Sequence, residues 1–267
     1  MNGQELVNLV AGDLPGDYSL FEAKQLVSDI LGLPHTMPLL DEIVLTEEQQ
    51  GRLEDGIRRR QQGEPLQYIL GEWEFMGMPF LVEPGVLIPR QDTETLCEEA
   101  IRLVREKGYL TALDLCCGSG CIGISVAKYT DIDVMFGDIS RECLSITKKN
   151  AEKNGVSARV KETDLFSAFT NRSFDLILCN PPYLNEEEMG SLQKEVQYEP
   201  ELALYGGKDG LDIYRRLASE YAGHLNPGGT MLLEIGYRQW EDLKELFPDA
   251  ELIRDLAGNP RVIRIMK

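Results

Sequence analysis

A chain of 267 residues that is 43% hydrophobic and 27% charged has the makings of one large globular domain or two of ordinary size, and is neither disordered nor fibrous. Its apolar runs are far too short to span a bilayer, and the start from Met1 to Glu5 lacks the basic and apolar regions of a secretory signal, so a cytoplasmic protein with no membrane partner is expected. A net charge of −18 repels phosphate backbones, and two histidines, His35 and His224, make a histidine triad or a His-rich metal site a poor reading. A nucleic-acid substrate would need a local basic patch, and the clearest, Arg58-Arg59-Arg60, also reads as a solvated helix end. The six cysteines lack the spacing of a disulfide framework.

Residues from Met1 to about Gly71 read as helical. Leu20, Ala23, Leu26, Val27, Ile30 and Leu31 recur at helical spacing until Gly32 and Pro34 break the pattern. Thr46-Glu47-Glu48-Gln49 has the form of a capping box, and the helix it opens carries Leu53 and Ile57 up to the arginines. No strand-like alternation occurs here, so residues 1–71 are expected to be a small all-α domain. Aromatic and β-branched residues then alternate with Gly and Pro between Trp73 and Arg90, which predicts a β-hairpin linker over 72–91.

From residue 92 to 267 strands and helices alternate. A helix through Leu96, Ala100, Leu103 and Val104 precedes strands at 112–115, 132–136, 158–161, 174–179 and 230–235. Two further strands, 252–254 and 261–265, close as a hairpin around Gly258-Asn259-Pro260. The pattern predicts an α/β fold with a doubly wound, mostly parallel seven-stranded sheet. In such sheets ligands sit outside the carboxyl ends of the strands. The glycine loop at 118–120, Asp138, Asp164 and Asn180 all fall at those ends.

Gly118-Ser119-Gly120-Cys121-Ile122-Gly123 matches the dinucleotide fingerprint, in which glycines let backbone N–H groups approach a ligand at a helix N-terminus. Asp138, at the next strand end, could accept both hydroxyls of a ribose. These features alone suit NAD or another adenosine compound. Asp114-x-x-x-Gly118-x-Gly120 shifts the balance, because it is similar to the first motif of class I methyltransferases. Cys116, Cys117 and Cys121 cluster at the loop without a C-x-x-C pair or a histidine, so they read as small buried hydrophobes rather than zinc ligands. After the strand at 174–179 comes Asn180-Pro181-Pro182-Tyr183. Two prolines end the ladder and stiffen the corner, which presents an amide side chain, the Pro181 carbonyl and an aromatic ring.

Together these stretches resemble the family of release factor glutamine methyltransferases over nearly the whole chain. The resemblance includes Gly85-Val86-Leu87-Ile88-Pro89-Arg90 with Thr93-Glu94, the loop from Asp114 to Gly120, Gly137-Asp138, Asn180 to Tyr183, Tyr198-Glu199-Pro200, Gly206 to Leu211, and Glu234-Ile235-Gly236 with Gln239. It implies transfer of a methyl group from S-adenosylmethionine, leaving S-adenosylhomocysteine, to the glutamine of the Gly-Gly-Gln motif in peptide chain release factors. Those factors would be the partners of a monomeric enzyme, with the helical domain docking them. It further implies Asn180, Pro181 and Tyr183 in catalysis, with Pro182 beside them at the substrate, and Cys116, Cys117, Gly118, Ser119, Gly120, Asp138, Asp164, Leu165 and Asn180 around the cofactor. The family usually has Gly-Thr where Cys116-Cys117 stands, and Leu165 replaces an aromatic residue found in some relatives. Competing readings are an adenine or guanine amino methyltransferase using the same Asn-Pro-Pro-Tyr motif, an NAD-binding oxidoreductase, and a catalytically dead adaptor.

Overall fold

The computed structural model describes residues 2–34 and 41–267, and Met1 and His35 lie outside the described residues. The chain divides into two compact units, one of residues 1–71 with 193–198 and the other of residues 72–192 with 199–267.

The first unit holds α1 (Gly3–Asp13), α2 (Ser19–Leu31), α3 (Glu47–Gln61) and α4 (Leu66–Leu70). The α1 N-terminus is closed by Asn2 and Glu5, each side chain accepting the other's backbone N–H. Thr46 and Gln49 do the same for α3, so the capping box read from the sequence forms. Along α2, Ala23, Leu26, Val27 and Ile30 make the buried stripe that the helical spacing requires. The basic run on α3 is neutralised within this unit. Arg58 pairs with Asp55, Arg59 with Glu64 at 2.5 Å, and the buried Arg60 with Glu22 at 2.8 Å and Glu195 at 2.9 Å. Three paired guanidinium groups offer little to a phosphate backbone.

The second unit opens with the hairpin of β1 (Glu72–Phe75) and β2 (Met78–Leu81), then α5 (Glu94–Lys107). There follow β3 (Thr111–Leu115), α6 (Cys121–Thr130), β4 (Asp133–Asp138), α7 (Arg141–Lys153), β5 (Arg159–Glu162) and β6 (Phe174–Cys179). The short helices α8 (Glu186–Met189) and α9 (Glu201–Leu204) precede α10 (Asp212–His224), β7 (Leu225–Glu234), α11 (Trp240–Leu246), β8 (Glu251–Arg254) and β9 (Pro260–Met266). The seven strands lie in the order β5-β4-β3-β6-β7-β9-β8; the first five are parallel, and β9 runs antiparallel to both of its neighbours.

Period-two alternation divides the core between the two faces of the sheet. Ala112, Leu176, Leu178, Leu232 and Val262 join Leu96, Ala100, Ile124 and Val126 of α5 and α6, together with Phe75 and Phe80 of the hairpin. Leu113, Leu115, Ile177, Met231, Leu233, Ile263 and Ile265 join Tyr214 and Leu217 of α10 and Leu243 of α11. Strands buried on both faces read as continuous apolar runs, which is why β6 and β7 were visible in the sequence.

Two polar side chains inside this core pin the elements around the glycine loop. Asn150 of α7 accepts the Leu81 N–H at 2.7 Å and donates to the carbonyls of Leu81 at 3.1 Å and Ser119 at 2.9 Å. It thereby joins β2 to the loop. Asp114, fully buried near the end of β3, accepts the Gly123 N–H at 2.9 Å in the first turn of α6, while its other oxygen has no hydrogen-bond partner among the described residues. Burial pushes its carboxyl from 3.8 up to about 7, against the Gly123 bond that favours the charged form. Gly123 lacks a Cβ because one would stand 2.6 Å from Phe136 and 2.8 Å from Asp114.

Replacing Asn150 with Ala leaves backbone groups of β2 and the loop unpaired in the interior, and is expected to cost about 3 kcal/mol in chemical unfolding; a loss below about 0.5 kcal/mol would show that water replaces the amide. The buried Asp114 carboxyl makes the folded state less stable as pH rises from about 4 to about 7, because the fold then holds a proton that the unfolded chain releases. Asp114→Asn keeps an acceptor for Gly123 and removes this penalty. Its melting temperature relative to the unsubstituted protein should therefore climb between about pH 4 and about pH 7 and level off above that, and a constant difference would place the charge elsewhere.

Candidate active site

The carboxyl ends of the parallel strands open onto a cavity of about 370 Å³. This lies within the range of roughly 300–1,000 Å³ typical of small-molecule sites. Its walls include Cys116, Cys117, Gly118, Ser119, Asp138, Asp164, Leu165, Asn180 and Pro182, so most of the residues expected from the sequence meet in one place. Gly120, Pro181 and Tyr183 are not among its lining residues.

The loop after β3 is shaped by backbone conformation. Cys116 has φ 53°, in the left-handed region, so the loop keeps a geometry suited to glycine although cysteine occupies the position. Gly120 turns the chain into α6 at φ 79°, and a Cβ there would also come within 2.8 Å of Thr147. The loop is tied to β4 by Asp138, whose carboxyl accepts the N–H groups of Gly118 and Ser140, both at 2.9 Å. Burial raises the Asp138 carboxyl, and those backbone bonds pull it back toward the charged form. Asp164, exposed beyond the end of β5, pairs with Arg216 of α10 at 2.8 Å. Leu165 beside it is buried and supplies an apolar wall.

At the end of β6, Asn180 is half-buried and donates from Nδ2 to the Thr93 hydroxyl at 3.4 Å. The corner behind it is gripped from three directions. Gln239 donates to the carbonyls of Tyr183 at 3.0 Å and Gly210 at 3.2 Å while accepting the Gly236 N–H at 2.9 Å. A bridge follows, with the Leu184 N–H donating to the Leu204 carbonyl and the Gly206 N–H to the Leu184 carbonyl. Gly206 and Gly210 lie so close to this corner that a Cβ on either would stand 2.7 Å from the Pro182 carbonyl or 2.4 Å from that of Tyr183. Pro181 is buried, and the ring of Tyr183 lies against Gly236 and the second apolar cluster. That ring stiffens the corner from behind.

Several residues at the site were not singled out as site residues from the sequence. Glu199, buried, accepts the Ile88 N–H at 3.1 Å and pairs with Arg90, which joins the segments 86–90 and 199–200 beside the cavity. Thr93 lines the cavity and meets Asn180. Glu234, at the end of β7, is fully buried with the side chains of Thr93 and Asn180 beside its carboxyl. Burial pushes it up to about 7, while Thr93, Arg261 and Asn180 favour its charged form. The signal available for Arg90, Thr93, Glu199 and Glu234 was membership of the motif stretches, and Glu234 is also an acid closing an apolar strand run.

Comparison with known proteins agrees with this geometry. Residues 98–197 match the methyltransferase small domain and residues 17–71 the PrmC N-terminal domain. The chain is 42% identical over 225 residues to the release factor glutamine methyltransferase of Koribacter versatilis, covering 82% of this chain and 80% of that one. It is 41% identical over 214 residues to that of Geobacter sulfurreducens, covering 78% and 75%. The fold is similar to the catalytic domain of hMettl16 solved with an RNA hairpin, with TM-score 0.59, 13% identity and coverage of 94% and 92%. It is also similar to the T. thermophilus 16S rRNA N2 G1207 methyltransferase solved with AdoMet and guanosine, with TM-score 0.54, 21% identity and coverage of 73% and 49%. The dinucleotide-oxidoreductase reading of the glycine loop gives way at this point. With such identity carried across three quarters or more of each chain, the chain belongs to the family of release factor glutamine methyltransferases.

Proposed function

We propose that this enzyme transfers the methyl group of S-adenosylmethionine to the side-chain amide nitrogen of the glutamine in the Gly-Gly-Gln motif of peptide chain release factors, in the cytoplasm where those factors work. The observation that carries the reading is Asn180, held at the cavity with its amide nitrogen turned to Thr93. That leaves Oδ1 to accept an N–H from the substrate amide, with the Pro181 carbonyl as a second acceptor.

The cavity suits the cofactor. Gly118 carries its backbone bare, with open space where a Cβ would stand. Asp138 lies at the adjacent strand end, where an acid in this fold accepts ribose hydroxyls. Leu165 offers an apolar wall for adenine, and Asp164 an acceptor for its amino group. S-adenosylmethionine supplies a methyl group activated on a positively charged sulfonium. The protein's own task is then chiefly positioning. An amide nitrogen is a poor nucleophile because its lone pair is delocalised into the carbonyl. Two acceptors at Asn180 and Pro181 aim the nitrogen along the line of displacement, and bonds that favour a pyramidal nitrogen localise the lone pair. The methylated nitrogen is acidic enough to lose its proton without a strong base.

Asp138→Ala is expected to weaken S-adenosylmethionine binding by about 1–3 kcal/mol by calorimetry; unchanged affinity in a folded variant would remove Asp138 from the ribose site. Asn180→Ala should lower single-turnover methylation of a release factor by roughly 10²-fold while cofactor affinity falls far less. Mass spectrometry of the Gly-Gly-Gln peptide reads the product. Methylation by Asn180→Ala at the unsubstituted rate would reduce the corner to a turn and end the substrate assignment.

A further inference from the structure

Glu234 has no part in aiming the substrate amide or holding the cofactor, and its surroundings ask for a role. The carboxyl is 2% exposed, and one oxygen has no hydrogen-bond partner among the described residues. An ion pair does not account for it. Arg261, the cation whose field it feels, is engaged by Asp92 at 2.8 Å and Asp255 at 3.1 Å. A buried acid in this state is costly, and an apolar side chain of similar volume would serve the core better. Its backbone is nevertheless held firmly: the Tyr214 hydroxyl donates to the Glu234 carbonyl at 2.7 Å, and Glu234 pairs with Val262 in the β7–β9 ladder.

What the carboxyl faces is the Thr93 hydroxyl and the Asn180 amide. The hydrogen-bonding roles of these groups are unequal. A carboxylate only accepts, a hydroxyl both donates and accepts, and the amide NH2 only donates. With Glu234 charged, the Thr93 hydroxyl donates toward the carboxylate and is left as an acceptor. The Asn180 Nδ2 then donates to that oxygen, as found at 3.4 Å. The opposite setting of the amide would turn Oδ1 toward the carboxylate and present an NH2 to the substrate, which could not accept an N–H. We infer that Glu234 is a positioning residue, which acts through Thr93 to fix the orientation of the Asn180 amide so that Oδ1 faces the substrate nitrogen. This rests on the assignment of Asn180 as the acceptor for the substrate amide.

A double-mutant cycle tests it. Glu234→Gln keeps the shape but gives the chain of bonds a donor, so that either setting of Asn180 is satisfied. Thr93→Val removes the linking hydroxyl without touching Glu234, and serves if the glutamine variant fails to fold. Each is measured by single-turnover methylation of a release factor, with the calorimetric affinity for S-adenosylmethionine as the control for an intact cofactor site. Either variant should lose turnover by roughly tenfold or more with cofactor affinity within about twofold and little change in KM for the release factor. Added to Asn180→Ala, neither should lower the rate further, because the group they orient is already gone. Full turnover in Glu234→Gln and Thr93→Val, or losses that multiply onto that of Asn180→Ala, would overturn the role of Glu234 and leave that of Asn180 standing. A fully active Asn180→Ala would overturn both.

Discussion

The parallel pairing of β3 with β6 is the constraint on which the site depends. In that register Leu115 lies beside Cys179, so the next residues, Cys116 and Asn180, leave the sheet together at the same edge. Chain order reverses across this seam, with β4 and β5 on one side and β7 on the other. Crossovers therefore leave in opposite directions and open the crevice where ligands of doubly wound sheets sit. The glycine loop borders one side of it and the Asn-Pro-Pro-Tyr corner the other.

Holding that rim open uses polar groups in an apolar interior. Asp114, Asp138 and Glu234 are buried carboxyls near the ends of β3, β4 and β7. Each has a different task. Asp114 takes one N–H in the first turn of α6, and Asp138 takes two from the turns on either side of it. Glu234 faces the side chains that set Asn180. Their raised proton affinities have the same first cause, loss of water around the charge. On the far side of the corner the design is steric. Gly206, Gly210 and Gly236 let Gln239 and the backbone close upon Tyr183, where any side chain would collide.

The sequence by itself determined the α/β class, the approximate strand positions, the helical first segment and the glycine, acid and amide residues at the strand ends. Those features rest on local physics: apolar runs mark strands buried on both faces, the helical period marks α2 and α5, and Thr46 with Gln49 caps a helix within four residues of chain. Motif chemistry at strand ends then pointed to the cavity, because glycine, acid and amide residues at successive carboxyl ends of a parallel sheet have few structural uses in common. Cys116 shows the limit of such reading. As a cysteine at a glycine position it left the loop geometry open, and the structure places it at φ 53°, in the left-handed region that glycine adopts freely.

Tertiary structure alone decided how distant residues meet. Glu199 reaches back to Ile88 and Arg90, Asn150 joins β2 to the glycine loop, and Arg60 draws residues 193–198 to the first unit. It also packed the ring of Tyr183 against the second apolar cluster and set Thr93 and Glu234 beside Asn180. Nothing local specifies these contacts. They join positions separated by tens to more than a hundred residues, and each exists because packing removed water from a polar group that then had to find its partner inside the fold.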